Sequence, residues 1–168
     1  MNIFLVGPMG AGKSTIGKRL AKQLNMAFSD SDSEIEARTG VDIATIFDIE
    51  GEEGFRKRER QMIDELTAKK NTVLATGGGA ILAKENQRCL TSRGHVVYLR
   101  TSVAQQLART SHDKSRPLLA SGDPEARLKE IMRQREPIYD EIADMVVDTD
   151  HRHVNQVVKD IQKSLRNL

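Results

Sequence analysis

The sequence of 168 residues has few of the residue types that cross-link a chain or anchor it in a membrane. It has a single cysteine, Cys89, which excludes an intramolecular disulfide, and it has no tryptophan. No apolar run approaches the roughly 18 residues that a membrane helix requires. The residues from Met1 to Val6 lead directly into a glycine loop and lack the basic-then-apolar pattern of a secretion signal. We therefore expect a cytoplasmic protein with no membrane partner.

An excess of charge of one sign is also absent. The chain has 26 basic and 24 acidic residues, which gives a net charge of +2. A protein that coats nucleic acid normally carries a strong basic excess, so we expect no nucleic-acid partner. The length fits one domain that spans residues 1–168.

Short apolar runs alternate with amphipathic segments along the chain. Strands are predicted at 2–6, 26–29, 72–76, 95–99 and 145–147. Helices are predicted at 14–24, 33–38, 43–47, 52–69, 83–91, 103–109, from 124 onward, and at 154–165. Pro137 is predicted to kink or end the helix that starts at Pro124, near Glu136. The alternation predicts an α/β fold with a parallel sheet covered on both faces, and ligands at the carboxyl ends of its strands.

A glycine-rich motif follows the first predicted strand. Residues 7–14, Gly-Pro-Met-Gly-Ala-Gly-Lys-Ser, match the pattern G-x-x-x-x-G-K-[ST] of a phosphate-binding loop. The glycines let backbone N–H groups point at a phosphate, and the helix that follows adds the positive end of its dipole. Lys13 would reach the β- and γ-phosphates, and Ser14 would hold Mg²⁺.

Two carboxylates, Asp30 and Asp32, follow the second predicted strand. In an extended segment they would lie on the same side, and such a pair suits a metal shell together with a base that orients a hydroxyl. The alternative is that one aspartate caps a helix and the other is solvated.

Three further signals each allow a functional and a structural interpretation. Arg56 lies either at the edge of a cleft or on a solvated helix face. The glycines at 77–79 allow either the close approach of a ligand or a flexible turn. The segment at about 110–122 has the length of a mobile lid, where Arg116 would either close on a phosphate or remain solvated. Arg135, taken alone, is interpreted as a surface charge.

Taken together, the motifs resemble those of the shikimate kinase family. The matching blocks are 7–15, Asp30 to Gly40, Gly51 to Arg56, Leu74 to Gly79, Arg116 to Leu119 and Arg135 to Tyr139. The resemblance implies a three-layer α/β/α P-loop kinase fold with a central parallel sheet of about five strands. It also implies a mobile lid at about 110–122 and a substrate-binding segment at about 31–60.

The resemblance further implies phosphorylation of the 3-hydroxyl of shikimate by ATP, in chorismate and aromatic amino-acid biosynthesis. The partners would be ATP and shikimate, the cofactor Mg²⁺, and the active form a monomer. The catalytic residues that it implies are Lys13, Asp32 and Arg116. The ATP-binding residues are Gly10, Ala11, Gly12, Lys13, Ser14, Thr15, Arg109, Arg116 and Arg152. The substrate-binding residues are Asp32, Arg56, Gly78, Gly79 and Arg135, and the metal-binding residues are Ser14 and Asp30.

Two other functions remain compatible with the phosphate loop. One is a P-loop kinase for a different small acceptor, such as gluconate or a nucleoside monophosphate. The other is a nucleotide-operated switch that turns over no small molecule.

Overall fold

A parallel sheet of five strands forms the centre of the computed structural model, which describes residues 1–110 and 122–168. The strands are β1 (Ile3–Val6), β2 (Ala27–Asp30), β3 (Thr72–Ala75), β4 (His95–Arg100) and β5 (Met145–Asp148). Their order across the sheet is β2-β3-β1-β4-β5, and each pairing is parallel. The predicted strands and their parallel arrangement are confirmed.

Helices connect the strands and cover both faces of the sheet. The described residues form α1 (Lys13–Leu24), α2 (Ser31–Thr39), α3 (Ile43–Thr67), α4 (Lys84–Arg93), α5 (Val103–Thr110), α6 (Pro124–Ile142) and α7 (Val154–Arg166), with a 3₁₀ turn at Ala80–Leu82. Within this part of the chain, every helix is too short or too polar to cross a membrane. Most of the predicted lid, including Arg116, lies outside the described residues.

Side-chain alternation along the strands divides the core into two layers. In β1, Phe4 and Val6 pack on the side of α2, α3, α4 and α6. Ile3 and Leu5 point to the other side, where α1 and α7 pack. All four side chains are fully buried, as expected for a central strand covered on both faces. The predicted three-layer α/β/α architecture is therefore confirmed.

The structure contains the helix interruption predicted between residues 47 and 52, but it does not contain a helix end at Pro137. Gly51 has φ 74° and ψ 178° and interrupts α3, which separates the two predicted helical segments around it. Pro137, in contrast, does not end α6, because the helix continues to Ile142. Tyr139 and Ile142 in this last stretch are 0% and 7% exposed. Burial of these side chains offsets the roughly 3 kcal/mol that an internal proline costs a helix.

Candidate active site

A cavity of about 530 Å³ lies at the carboxyl edge of the sheet, where β1, β2 and β3 end. Parallel α/β sheets bind ligands at this edge. The cavity brings together most of the predicted site residues. They are Gly10, Gly12, Lys13, Ser14, Thr15, Asp30, Asp32, Arg56, Gly78, Gly79, Arg109 and Arg135.

The phosphate loop forms one end of the cavity. Gly10 and Gly12 have φ of 82° and 86°, in the left-handed region that favours glycine. Gly12 caps α1 without a side chain, so the first N–H groups of the helix are open to an anion at this end. Lys13 Nζ donates hydrogen bonds to the carbonyl oxygens of Gly7, at 2.6 Å, and Pro8, at 2.8 Å. The ammonium group thus lies over the loop that would hold the phosphates.

Ser14 and Asp30 lie side by side beneath this loop. The Ser14 hydroxyl donates to Asp30 Oδ2, while Asp30 Oδ1 accepts a hydrogen bond of 3.1 Å from the N–H of Ser33. Asp30 therefore caps α2, and the same carboxylate also faces Ser14. The structure combines the capping role with the position that a metal site would need.

Asp32 lies in the first turn of α2 and not in an extended segment. The expectation that Asp30 and Asp32 share one side of an extended segment is therefore wrong, since Asp30 ends β2 and caps α2 while Asp32 lies within that helix. The turn carries Asp32 toward the glycines after β3. A Cβ on Gly77 would lie 2.7 Å from Asp32 Oδ1, so the absence of a side chain there leaves room for the carboxylate.

Arg56 extends from α3 over the same glycines. Its Nη1 donates to Glu59 Oε1 at 2.9 Å, and a Cβ on Gly79 would lie 2.6 Å from that nitrogen. Gly79 has φ −97°, which any residue adopts, so glycine is needed here for space and not for conformation. The interpretation of Arg56 as a cleft residue is therefore confirmed.

Glu59 is a site residue that the sequence analysis missed. Its side chain lines the cavity and is almost fully buried. Burial raises the pKa of Glu59 and the charge of Asp32 raises it further, while Arg56 opposes both. The sequence did contain one indication of this role: Glu59 follows Arg56 by three residues, a spacing that places two side chains on one face of a helix.

Arg135 reaches the cavity from α6 and is 6% exposed, so its interpretation as a surface charge is wrong. Burial lowers the pKa of Arg135, and the neighbouring charge of Arg56 also lowers it, while Glu59 opposes the change. A Cβ on Gly78 would lie 3.6 Å from Arg135 Nη1. Two guanidinium groups therefore converge on the glycine segment, and their mutual repulsion favours an anion between them.

The remaining predicted residues are placed differently. Arg109 Nη1 donates to the carbonyl of Gly10 at 2.7 Å, so this arginine lies beside the phosphate loop. Arg152 pairs with Asp160 and donates to the carbonyl of Asp148 at 3.0 Å, in a separate surface depression. Ala11 is buried beneath the loop and packs in the core.

The fold and the cavity together define the class of protein. A phosphate loop at the end of a central parallel strand shares its cavity with Arg56, Arg135, Asp32 and Glu59. Such an arrangement holds a nucleoside triphosphate at one end and a small anionic acceptor at the other. The protein is a P-loop kinase that acts on a small molecule.

Comparison with known proteins gives the family. The chain belongs to the shikimate kinase family, whose model matches residues 9–166. A shikimate kinase of Thioalkalivibrio sulfidiphilus is 56% identical over 165 residues, which cover 98% of this chain and 87% of the relative. One from Vibrio cholerae is 57% identical over 164 residues, or 98% of this chain and 94% of the relative.

A solved structure supports the same assignment. The shikimate kinase from Acinetobacter baumannii in complex with shikimate superposes with a TM-score of 0.97 at 48% identity. The match covers 99% of this chain and 93% of that protein.

Proposed function

We propose that this chain transfers the γ-phosphoryl group of ATP to the 3-hydroxyl of shikimate. The products are shikimate 3-phosphate, ADP and a proton. The single observation that carries the proposal is the convergence of Arg56 and Arg135 on the glycines at 77–79, in the cavity that the phosphate loop also lines. Shikimate is a small carboxylate, and the relative from Acinetobacter baumannii has been solved in complex with it.

The arginine end of the pocket would bind the shikimate carboxylate. A guanidinium group pairs with a carboxylate through two parallel hydrogen bonds, and Arg56 and Arg135 offer two such groups. Within the described residues, no hydrogen bond uses the backbone N–H of Gly78 or Gly79. These amides are therefore available as further donors to the acceptor.

The loop end of the pocket would bind ATP. The N–H groups around Gly12 would surround the phosphates, and Lys13 would leave the loop carbonyls to neutralise the β- and γ-phosphates. Arg109 lies next to the loop and would border the nucleotide. We also assign ATP contacts to Thr15, Arg116 and Arg152, on the resemblance of their sequence positions.

The residues below the loop fit a magnesium ion. Mg²⁺ prefers oxygen ligands and is commonly held by one or two protein groups together with water and substrate phosphates. Ser14 offers a hydroxyl that already contacts the Asp30 carboxylate. The described residues contain no cluster of three or more acidic, histidine or cysteine side chains that would cage a metal, which is consistent with a site completed by ATP. When bound, Mg²⁺ would neutralise charge on the transferring phosphate.

Asp32 would accept the hydrogen bond of the 3-hydroxyl and orient its oxygen toward the γ-phosphorus. The hydroxyl oxygen forms a bond to phosphorus, the bond from phosphorus to the β,γ-bridging oxygen of ATP breaks, and the hydroxyl proton leaves toward Asp32. Phosphoryl transfer depends mostly on positioning and charge stabilisation, so a strong base is not required.

We further propose that the enzyme acts as a monomer, because the phosphate loop and the arginines of the cavity already form one site within a single fold. On its single cysteine and its net charge of +2, we also propose that it works in the cytoplasm without a nucleic-acid or membrane partner.

The test is ADP release from MgATP with and without shikimate. We expect strong stimulation by shikimate and none by gluconate or by nucleoside monophosphates. Stimulation by one of the latter compounds instead would contradict the proposal. ATP binding with no stimulation by any acceptor would favour a nucleotide switch.

A further inference from the structure

Tyr139 lies on α6 one helical turn after Arg135, behind the glycine segment. Its side chain is fully buried, and its hydroxyl donates a hydrogen bond of 2.7 Å to the carbonyl oxygen of Gly78. Its ring stacks on Tyr98 at a centroid distance of 4.8 Å and an interplanar angle of 19°. The ring position is therefore fixed by packing, and the hydroxyl is fixed with it.

Glycines at 77–79 have no side chains that could fix their own backbone, so other contacts must hold it. The N–H of Gly77 donates to the Ser31 hydroxyl at 3.1 Å, which holds the start of the segment. Tyr139 holds the next residue through the Gly78 carbonyl. The peptide plane that carries this carbonyl also carries the N–H of Gly79, so the hydroxyl sets the direction of that donor.

The charge of Arg135 also acts on this hydroxyl. Burial raises the pKa of Tyr139, and the neighbouring guanidinium charge of Arg135 lowers it by less. The phenol therefore stays protonated and keeps donating to Gly78 throughout the range in which an enzyme is assayed.

We propose that Tyr139 is a positioning residue for acceptor binding, which sets the Gly78–Gly79 peptide in the geometry that the acceptor carboxylate requires. This inference rests on the proposed function, since it assumes that the carboxylate binds at the glycine segment. It assigns no contact between Tyr139 and either substrate.

Tyr98 provides a matched control. It stacks on Tyr139 in the same layer and is equally buried, but its hydroxyl has no hydrogen-bond partner among the described residues. The variants Tyr139→Phe and Tyr98→Phe therefore each remove one buried oxygen and keep the stacked rings. Only the first removes a hydrogen bond to the glycine segment.

The experiment measures steady-state kinetics for both substrates, and the dissociation constant of shikimate by calorimetry, in the wild type and both variants. For Tyr139→Phe we expect the KM and Kd of shikimate to rise about 5- to 50-fold, as for the loss of about one well-directed hydrogen bond from the Gly79 N–H to the carboxylate. The KM of ATP should change by less than about twofold, because the phosphate loop keeps its contacts. Tyr98→Phe should change none of these constants by more than about twofold.

Two results would overturn the inference. One is an unchanged shikimate KM and Kd in Tyr139→Phe. The other is an equal rise in the KM of shikimate and of ATP, which would indicate general loosening of the structure. Failure of the proposed function is recognised separately, because the wild type would then show no phosphorylation of shikimate.

Discussion

Replacement of Arg135 by methionine should weaken acceptor binding without destabilising the protein. Arg135 is 6% exposed as a residue, so its pairing with a substrate carboxylate takes place with little water present. Truncation of one partner in such a desolvated pair costs about 2–5 kcal/mol, which corresponds to a rise of about 30- to 5,000-fold in the KM of shikimate. The KM of ATP should change little, because the substitution leaves Lys13 and the N–H groups at the start of α1 in place to bind the phosphates.

The stability of the ligand-free protein should change in the opposite sense. Burial lowers the pKa of Arg135, and Arg56 lowers it further, so the charged form of Arg135 is disfavoured in the folded state. Methionine has a similar length and no charge to desolvate. Replacing buried charges by apolar groups of similar volume is often neutral or stabilising, so we expect the free energy of unfolding to stay the same or rise by up to about 2 kcal/mol. The melting temperature would rise by up to about 8 °C.

Thermal unfolding without ligand and steady-state kinetics measure the two effects. Arg133→Met is the matched control, since Arg133 lies on the same helix with a side chain that is 77% exposed and pairs with Glu130. That variant should leave the kinetic constants unchanged and alter stability by about 0.5 kcal/mol or less. A normal shikimate KM in Arg135→Met would refute the binding role. A loss of more than about 1 kcal/mol in stability would refute the argument from buried charge.

Three further substitutions test separate parts of the site. Gly79→Ala should raise the KM of shikimate more than about tenfold, because the added methyl group would meet the Arg56 guanidinium. Gly40→Ala is the control: no atom lies within 4 Å of the added Cβ, but φ is +76°, so it should cost about 1 kcal/mol of stability and leave the kinetic constants unchanged. Asp32→Asn should lower kcat about 10²- to 10⁴-fold if the carboxylate takes the proton, and pre-steady-state measurement of the transfer step checks this. Asp30→Asn keeps the helix cap but removes its charge, so the Mg²⁺ concentration for half-maximal rate should rise about 10- to 100-fold in a magnesium titration. An unchanged titration would exclude Asp30 from the metal site.

Local patterns in the sequence were sufficient to predict the fold and the phosphate loop. The loop is continuous along the chain, and the positive φ of Gly10 and Gly12 is a property of the motif itself. The Asp123 side chain accepts hydrogen bonds from the N–H groups of Glu125 and Ala126 and so caps α6 directly before Pro124. These features depend on neighbours within a few residues.

Features that depend on packing between distant segments could not be derived in this way. The burial of Arg135 requires α6 to pack against the turn after β3, more than fifty residues earlier in the chain. The hydrogen bond from Tyr139 to Gly78 joins residues that are 61 positions apart. The continuation of α6 beyond Pro137 has the same origin, since its last turn is held by buried side chains and not by its own propensity.

The division of the core by the central strand has a consequence for how such an enzyme diversifies. The helix that carries the phosphate loop, α1, packs in the layer that includes Ile3 and Leu5. The helices that carry the acceptor-binding side chains, α2, α3 and α6, pack in the layer that includes Phe4 and Val6. Substitutions in separate regions without shared contacts add nearly independently. Selection can therefore reshape the choice of acceptor through one layer of the core, while the other preserves the use of the phosphate donor.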